Sequence, residues 1–270
     1  MRIVPIVENA SISKDYKTKH GLSLYIETDR HKILFDLGEN RLFLENARKM
    51  DINIEDIDTV IISHGHCDHG GGLKHFLREN SRAKVYIKES AFKKHSTKVL
   101  GIPIDIGLKK SLMNHPQIVF TSDHMVINDQ LQLFSGVEEI VSHKDFNHNL
   151  YEKSKHGYVL DRFNHEQNLI ISEGSNTLLV AGCAHKGIYN IVKKSTTILK
   201  TDPKYVISGF HLHKPLNKND ESIITIANLL HEFNTTYYTC HCTGTDAYRT
   251  LKACLGRKIH YLSTGEELNF

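Results

Sequence analysis

A group of metal-binding residue types follows directly after an apolar run in this sequence. Residues 59–63 (TVIIS) are largely apolar and β-branched, which predicts a buried strand, and residues 64–69 (HGHCDH) follow at once. Glycines at 70–72 then allow the backbone to turn tightly into a helix. Because open α/β sheets carry their sites on the loops that follow strand ends, this segment predicts a functional site on such a loop.

The spacing inside that segment divides the ligands into two sets. His64 and His66 can point the same way from an extended backbone, whereas Asp68 and His69 can point to a second position nearby. This arrangement predicts two metal ions side by side. The plain alternative is a polar loop that gained several histidines by chance, since the chain contains 19 of them. A pattern this ordered, directly after a buried strand, favours metal binding.

The composition is that of an ordinary globular protein and argues against several classes. At 270 residues, 40% hydrophobic and 24% charged, the chain can bury a substantial core, and we predict a single domain over residues 1–270. A net charge of +3 is too weak to indicate nucleic acid or a membrane surface as a partner. No apolar run approaches the roughly 18 residues of a membrane span. Five cysteines without a paired framework, and no signal peptide at the start, predict reduced thiols in the cytoplasm.

Strand and helix patterns alternate in both halves of the sequence. A first strand at 2–7 precedes a hairpin of strands at 22–28 and 32–37, and regular patterns resume near residue 168. Between about 89 and 160 the patterns weaken, so we predict an insertion there, serving as a lid or a partner surface. The whole order predicts an α/β protein in which two sheets pack together and helices cover the outer faces.

Three further histidines follow predicted strands, each beside small residues. They are His185 after the strand at 177–182, His211 after the strand at 205–208, and His241 after the strand at 236–239. A single histidine at a strand end is usually a surface residue, but three such ends beside the 64–69 segment favour a shared site. Cys240 and Cys242 admit a rival interpretation as half of a structural zinc site, although the sequence has no second cysteine pair at the spacing such sites need.

These segments together resemble the metallo-β-lactamase superfamily. The resemblance is carried by residues 33–38 (ILFDLG), the strand at 59–63 and the segment 64–69. Three later segments, 182–188 (GCAHKGI), 209–212 (GFHL) and 241–244 (HCTG), resemble a narrower branch, the dihydropterin-methyl ribofuranosylaminobenzene phosphate synthase-like proteins of the methanopterin pathway. The superfamily resemblance implies an αββα sandwich, two mixed sheets flanked by helices, with a two-metal site at one edge.

The resemblance also implies metal ligands, residue by residue. His64 and His66 match the superfamily's ligands of the first metal, and Asp68 and His69 match its ligands of the second. His241, at the last of the three later strand ends, resembles the final ligand of the second metal.

The chain departs from the superfamily pattern after the strand at 177–182. Most members have Gly-Asp there, and that aspartate bridges the metals, whereas this chain has Gly182 and Cys183. His185 is our candidate for the missing ligand, and His165 lies at about the right place upstream to be the third histidine of the first metal. Cys183 either fills space at the strand end or faces the metals as a thiolate, which would favour zinc over harder ions.

The resemblance and the ligand chemistry predict an enzyme. Two divalent ions, zinc first with manganese or iron as alternatives, would lower the pKa of a water held between them and so supply hydroxide at neutral pH. We expect a hydrolase that acts on a phosphate-containing or other anionic small molecule. Asp68 would orient the water while ligating, His211 would contact the substrate and stabilise its developing charge or protonate its leaving group, and Thr243 would help to bind the anion.

Two other functions stay open on the sequence alone. The branch resemblance implies a synthase-like transferase, in which an aryl ribose phosphate attacks a pterin methylene carbon that bears a phosphorylated leaving group. A non-catalytic sensor of metal or ligand that kept the site is the second alternative, and the near-complete ligand set argues against it. The sequence also leaves a homo-oligomer open.

Overall fold

The computed structural model describes residues 1–212 and 221–270. The strands are β1 (Arg2–Val7), β2 (Ser23–Glu27), β3 (Lys32–Phe35), β4 (Thr59–Ile61), β5 (Lys84–Ile87), β6 (His95–Val99), β7 (Ile102–Asp105), β8 (Ile118–Phe120), β9 (His124–Val126), β10 (Leu131–Phe134), β11 (Leu150–Ser154), β12 (Gly157–Leu160), β13 (Asn168–Glu173), β14 (Asn176–Val180), β15 (Tyr205–Ser208), β16 (Thr236–Thr239), β17 (Ile259–Tyr261) and β18 (Leu268–Asn269). The helices are α1 (Leu42–Lys49), α2 (Cys67–Gly70), α3 (Leu73–Glu79), α4 (Ile188–Leu199), α5 (Glu221–Leu230) and α6 (Thr245–Leu255). The strands predicted at 2–7, 205–208 and 236–239 have the same bounds in the structure.

The N-terminal half of the chain forms most of one mixed sheet. Its strands lie in the order β18-β1-β2-β3-β4-β5-β8. β1, β2 and β3 pair antiparallel, with β2 and β3 as the predicted hairpin, whereas β3, β4, β5 and β8 run parallel. Parallel strands bring their carboxyl ends to the same edge, so the residues that follow Phe35 and Ile61 become neighbours.

The C-terminal half forms most of a second mixed sheet with a related design. Its strands lie in the order β17-β16-β15-β14-β13-β10-β9. β14, β15, β16 and β17 run parallel, and β13, β10 and β9 continue the sheet antiparallel. The residues that follow Val180, Ser208 and Thr239 therefore also meet at one edge.

Three apolar layers hold the sheets and helices together. Side chains alternate along each strand, so Ile33 and Phe35 of β3 face the other sheet while Leu34 faces the side covered by α1 and α3. In the same way, Leu178 of β14 faces the first sheet and Leu179 faces the side covered by α4, α5 and α6. Each fully buried aliphatic or aromatic side chain of this kind contributes about 1.5–3 kcal/mol. The result is the predicted αββα sandwich.

Helix α4 shows how the covering helices form. It begins after Gly187, whose φ of 84° suits glycine, and it ends where Lys200 adopts a left-handed conformation. Its residues Ile188, Ile191 and Val192 recur at helical spacing and pack on the second sheet. At 12 residues α4 is too short to span a bilayer, and no helix in the described part of the chain is long and apolar enough to do so.

The region from about 89 to 160, predicted to be an insertion, is divided between the main sheets and a small third sheet. β8 extends the first sheet beyond β5, and β9 and β10 extend the second sheet beyond β13. β6, β7, β11 and β12 stand apart in an antiparallel sheet of order β12-β11-β6-β7. The separate part is therefore smaller than the sequence suggested, because short strands with weak apolar patterns pair with distant edges.

Candidate metal centre

The site lies where the carboxyl ends of the parallel strands of both sheets meet. The side chains that converge there follow β3, β4, β14, β15 and β16 and are Asp36, His64, Cys183, His211 and His241. Three of them adopt left-handed backbone conformations, with φ of 61° at Asp36, 46° at His211 and 50° at His241. Such a conformation costs roughly 1–3 kcal/mol for a residue with a Cβ atom, so these loops are shaped for the side chains that they present.

Three buried imidazoles form the first of two clusters, which we call the three-histidine cluster: His64, His66 and His185. The ring centroids lie 4.5 Å apart for His64 and His66, 4.9 Å for His64 and His185, and 5.1 Å for His66 and His185. Nε2 of His64 lies 3.0 Å from Nδ1 of His66, so these nitrogens face the same point. Ligand atoms of His64 and His185 also group with Sγ of Cys183, and one of His66 groups with those of His95, Asp161 and His165. Imidazoles gathered in this way are common ligands of zinc.

Neutral oxygen atoms orient two of these rings. Nδ1 of His64 lies 2.9 Å from Oγ of Ser63, and Nδ1 of His185 donates to Oδ1 of Asn147 at 2.9 Å. Asn147 also donates to the backbone oxygen of His185 at 2.7 Å, and the Phe163 ring stacks on the imidazole at 4.2 Å. With the proton on Nδ1, the Nε2 lone pair is available to a metal. Nε2 of His185 is buried and has no hydrogen-bond partner among the described residues, as a metal ligand requires.

The second cluster, which we call the carboxylate cluster, consists of Asp68, His69 and His241. The Nε2 atoms of His69 and His241 lie 3.2 Å apart. Oδ2 of Asp68 lies 3.5 Å from the first of these nitrogens and 3.3 Å from the second. The His69 ring is 4.2 Å from the His64 ring, so the two clusters adjoin. Adjoining ligand sets suit two ions at the separation of about 3.5–4 Å found in two-metal enzymes.

Asp36 orients a residue of each cluster. Its Oδ2 accepts from Nδ1 of His69 at 2.7 Å, and its two oxygens accept the Ser63 backbone N–H and hydroxyl, each at 2.7 Å. Because the Ser63 hydroxyl donates to Asp36, the Ser63 oxygen is left to accept from Nδ1 of His64. The Asp36 carboxylate therefore fixes the tautomer of His69 directly and that of His64 through Ser63.

Residues near the N-terminus position His241. Its Nδ1 accepts the Gly21 backbone N–H at 3.2 Å and lies 3.1 Å from Oδ1 of Asn9, while its Nε2 faces that of His69. Its backbone N–H donates to Oε1 of Glu8 at 2.6 Å, and the same oxygen accepts the Tyr261 hydroxyl at 2.7 Å. These bonds hold the left-handed backbone of His241 in place.

The two clusters differ in charge. Burial, reinforced by neighbouring imidazoles, lowers the pKa of each imidazole in the three-histidine cluster well below its ordinary value, so these rings are neutral. Burial acts the same way on His69, but the Asp68 and Asp36 carboxylates outweigh it and raise the pKa of His69 to about 9. The imidazoles of His69 and His241 in turn hold the pKa of Asp68 well below its usual range, against its burial.

Cys183 lies between the clusters. Its Sγ is 3.0 Å from Nε2 of His69. It also lies within 4.8 Å of ligand atoms of His64 and His185 on one side and of His69 and His241 on the other. The side chain is buried, with 3% of its surface exposed. The Cys183 sulfur is therefore close to ligand atoms of both clusters, and both roles considered from the sequence stay open at this point.

His211 lies beside the clusters and not within them. Its ring centroid is 4.3 Å from that of His185, and its Nδ1 is buried without a hydrogen-bond partner in the described part of the chain. Its backbone N–H donates to Sγ of Cys242 at 3.3 Å. Burial would raise the pKa of Cys242, but hydrogen bonds from Cys183 and His211 hold it well below the usual value.

Thr243 does not lie at the opening of the site, contrary to the prediction that it binds substrate. It is fully buried, and its hydroxyl accepts the Phe210 backbone N–H at 2.8 Å and also bonds to the Thr239 hydroxyl. These bonds tie the loop after β15 to the loop after β16. The side chains that open toward solvent at the clusters are Asp68, 21% exposed, and His20, 66% exposed, whose Nε2 lies 3.4 Å from Oδ2 of Asp68.

His165, considered as the third histidine of the first metal, uses both ring nitrogens elsewhere. Its Nδ1 accepts the Gly65 backbone N–H at 2.9 Å, and its Nε2 donates to Asp161 at 3.2 Å. Asp161 also accepts from Nδ1 of His95 at 2.8 Å. His165 therefore shapes the loop around Gly65, whereas the His185 ring lies 4.9 Å from that of His64.

Several orienting residues of the site were not predicted. They are Asn9, His20, Asp36, Ser63 and Asn147. Asp36 directly follows β3 and Ser63 lies just beyond β4, so the strand-end rule that found the histidines could have found both. Asn9, His20 and Asn147 lie in loops without a motif, and no local signal marks them.

The donor set fits two divalent metal ions. Imidazole nitrogens, one carboxylate and one thiol are ligands that zinc accepts, and the rings that face the shared points are buried with one nitrogen each turned inward. The His185 Nε2 atom, buried without a partner among the described residues, is the sharpest sign that an ion belongs there.

Comparison with known proteins agrees with this arrangement. The sequence model of the metallo-β-lactamase superfamily matches residues 17–148. A 7,8-dihydropterin-6-methyl-4-(β-D-ribofuranosyl)-aminobenzene-5'-phosphate synthase of Methanocaldococcus jannaschii is 28% identical over 291 residues, which cover 100% of this chain and 97% of the relative. The crystal structure of Tm1679, a metal-dependent hydrolase of the β-lactamase superfamily, is similar with a TM-score of 0.82 at 26% identity, covering 100% of this chain and 99% of that one.

A further structure shares the fold alone. Zn²⁺-bound PqqB from Methylobacterium extorquens has a TM-score of 0.56 at 10% identity, and the match covers 100% of both chains. Two packed mixed sheets with outer helices define an αββα sandwich, and the clusters of candidate metal ligands lie at its strand ends. The superfamily model matches residues 17–148, and the resemblance to the metallo-β-lactamase superfamily seen in residues 33–38 and 64–69 is confirmed.

Proposed function

We propose that this chain is a metal-dependent hydrolase that acts on phosphate-containing or other anionic small molecules. The observation that carries the proposal is the pair of adjoining clusters, in which imidazole nitrogens and the Asp68 carboxylate lie close together. Full-length similarity to Tm1679, a metal-dependent hydrolase, supports it. Bound divalent ions would supply Lewis acidity and would lower the pKa of a water in the site.

The ligand set favours an anionic substrate. The three-histidine cluster would hold one ion with neutral rings, and the carboxylate cluster would hold the other with Asp68 and two rings. Asp68 and Cys183 are the ligands that can carry negative charge, so two divalent ions would leave a net positive site. A positive, largely buried site attracts phosphate and carboxylate groups more strongly than neutral ones.

Asp68 and His211 are the residues best placed to move protons. Asp68 is ionised at neutral pH and opens toward solvent, so its carboxylate can accept a hydrogen bond from an attacking water and orient it. His211 lies one ring beyond His185, and its buried Nδ1 can contact the substrate and donate to developing negative charge or to a leaving oxygen.

A synthase is the second candidate, favoured by one specific observation. The Methanocaldococcus jannaschii protein named as a dihydropterin-linked aminobenzene ribose phosphate synthase matches this chain over its full length. In that case, the same clusters would bind a phosphorylated leaving group while a nucleophile other than water attacks. The residues that would hold the ions are the same in both candidates, so the two differ in the nucleophile, which is water in one and a second substrate in the other.

Metal counting combined with two activity assays tests these candidates. Purified protein is expected to carry about two divalent ions per chain and to hydrolyse a chromogenic aryl phosphodiester. His185→Ala should lose one ion and the hydrolysis, whereas His260→Ala, which changes an exposed histidine on β17, should lose neither. Metal-loaded protein that hydrolyses nothing but forms the condensed pterin–aminobenzene product would establish the synthase. Metal-loaded protein without either activity would favour a sensor.

A further inference from the structure

Cys183 occupies a position that no other described side chain shares. Among residues 1–212 and 221–270, it is the side chain whose ligand atom groups with His64 and His185 and also with His69 and His241. Every other ligand belongs to one of the two clusters. A donor atom at their boundary is where a bridge between two ions would stand.

The backbone around Cys183 is built to bring its sulfur to that boundary. A Cβ atom on Gly182 would lie 2.3 Å from Oγ of Ser63, so only glycine lets the end of β14 approach the loop that carries His64. Ala184 has a φ of 53°, and the residues on either side of it, Cys183 and His185, both face the clusters. This left-handed residue is the local strain that aims both side chains into the site.

The chemistry of a thiolate suits this boundary better than that of an imidazole. A neutral imidazole offers one nitrogen lone pair to a metal, whereas a thiolate sulfur has several lone pairs and is deprotonated outright when it coordinates a cation. We propose that the Cys183 thiol releases its proton to solvent when metal binds and that its sulfur bridges the two ions. The centre would then prefer thiophilic divalent ions such as zinc or cadmium over manganese.

This inference rests on the metal-binding part of the proposed function and is independent of hydrolysis. Cys242 provides the matched comparison, since it is a second buried thiol near Cys183 whose exposure is 6% against 3%. Its Sγ accepts the His211 N–H and groups with Cys183 and His211, but it belongs to neither histidine pair of the two clusters. The same thiol-to-hydroxyl change at the two positions should therefore have different effects on the metals.

Zinc X-ray absorption of the wild-type protein, loaded until it is saturated with metal, gives the first test. A bridging sulfur appears in the shell of both ions, so the fit should require about one sulfur per zinc at about 2.3 Å. About half a sulfur per zinc would mean that the cysteine binds one ion only, and it would overturn the bridge. A shell without sulfur would overturn the ligand role altogether.

Two variants give the second test. Cys183→Ser should lose the sulfur shell and weaken binding of at least one ion by about tenfold or more, whereas Cys242→Ser should keep both the shell and the affinity. If the sulfur shell survives in Cys183→Ser and disappears in Cys242→Ser, then Cys242 is the zinc ligand and the proposal is wrong. Cys183→Asp is expected to hold two ions without sulfur and to reduce the zinc-over-manganese preference by about tenfold or more, and an unchanged preference would contradict the proposal.

The bridging role of Cys183 and the hydrolase activity can fail independently of each other. Two bound zinc ions without any zinc–sulfur contact would refute the thiolate and leave the hydrolase proposal standing. A zinc–sulfur shell in a protein that hydrolyses nothing would uphold the thiolate and refute the hydrolase. Protein that binds no zinc would refute both.

Discussion

The two ligand clusters are made from similar side chains, but different groups hold them. In the three-histidine cluster, the partners of His64 and His185 are the neutral oxygens of Ser63 and Asn147. In the carboxylate cluster, His69 lies between two carboxylates, and its pKa is raised accordingly to about 9. Neutral hydrogen-bond partners therefore orient the rings of one cluster, whereas charged carboxylates orient those of the other.

That contrast has consequences for metal binding. An ion entering the three-histidine cluster meets rings that are already deprotonated, so binding there displaces few protons. An ion entering the carboxylate cluster must displace the proton from His69 but gains the attraction of Asp68. Asp36 links the two clusters, because it contacts His69 directly and reaches His64 through Ser63.

Removal of one ligand from each cluster should produce the largest effects. His64→Ala and His69→Ala are each expected to lose one ion and to reduce hydrolysis by more than about 100-fold, the upper range for loss of a residue that merely orients a ligand. Metal analysis and initial rates measure both effects. Far-UV circular dichroism should show both variants folded, since the three apolar layers of the sandwich do not include these rings. If either variant is unfolded, the metal is needed to stabilise the fold.

Loss of the carboxylate that links the clusters should come next. Asp36→Asn is expected to lower the affinity for both metal ions by about 10–100-fold, because the tautomers of His69 and His64 both depend on the carboxylate. Competition with a chelator measures the two affinities. If only the affinity for the ion of the carboxylate cluster falls, then Asp36 does not influence His64 through Ser63.

A neutral orienting residue should have a smaller and more local effect. Asn147→Ala is expected to lower the affinity for the ion of the three-histidine cluster by about tenfold and to leave the affinity for the other ion unchanged. Asn147 contacts His185 and none of the other proposed ligands. Asn149→Ala is the matched control, since Asn149 bonds to Thr97 and Lys98 in the small third sheet. Equal effects of the two variants would remove Asn147 from the site.

The smallest effect on catalysis should come from Thr243. Thr243→Val is expected to reduce the free energy of unfolding by about 1–3 kcal/mol, because the Phe210 N–H would lose its buried acceptor. The KM for the phosphodiester should stay within about twofold, since the wild-type hydroxyl is not exposed. Urea unfolding and steady-state rates measure the two quantities. A raised KM without loss of stability would restore the substrate-binding role first predicted for Thr243.

The parts of the site that the sequence predicted are those that depend on neighbouring residues. The 64–69 segment follows its strand directly, and His185, His211 and His241 each follow a strand within a few residues, so position along the chain reveals them. The opposite orientations of Leu34 and Phe35 likewise follow from the alternation of side chains along a strand.

The parts that could not be predicted depend on contacts between distant segments. Asn147 reaches His185 from a loop 38 residues away, and no pattern in that loop marks it. The burial of Thr243 follows from the pairing of β15 with β16, which packs its loop against Phe210. β8, β9 and β10 join sheet edges that only the folded chain supplies, so the 89–160 region looked more independent than it is.

The most direct test of the two-cluster account is a crystal structure of zinc-loaded protein with anomalous diffraction measured on both sides of the zinc edge. Two anomalous peaks are expected, one about 2.0–2.1 Å from the facing nitrogens of His64, His66 and His185 and the other at that distance from His69 and His241. A single peak, or a peak held by His95, Asp161 and His165 instead, would contradict the account.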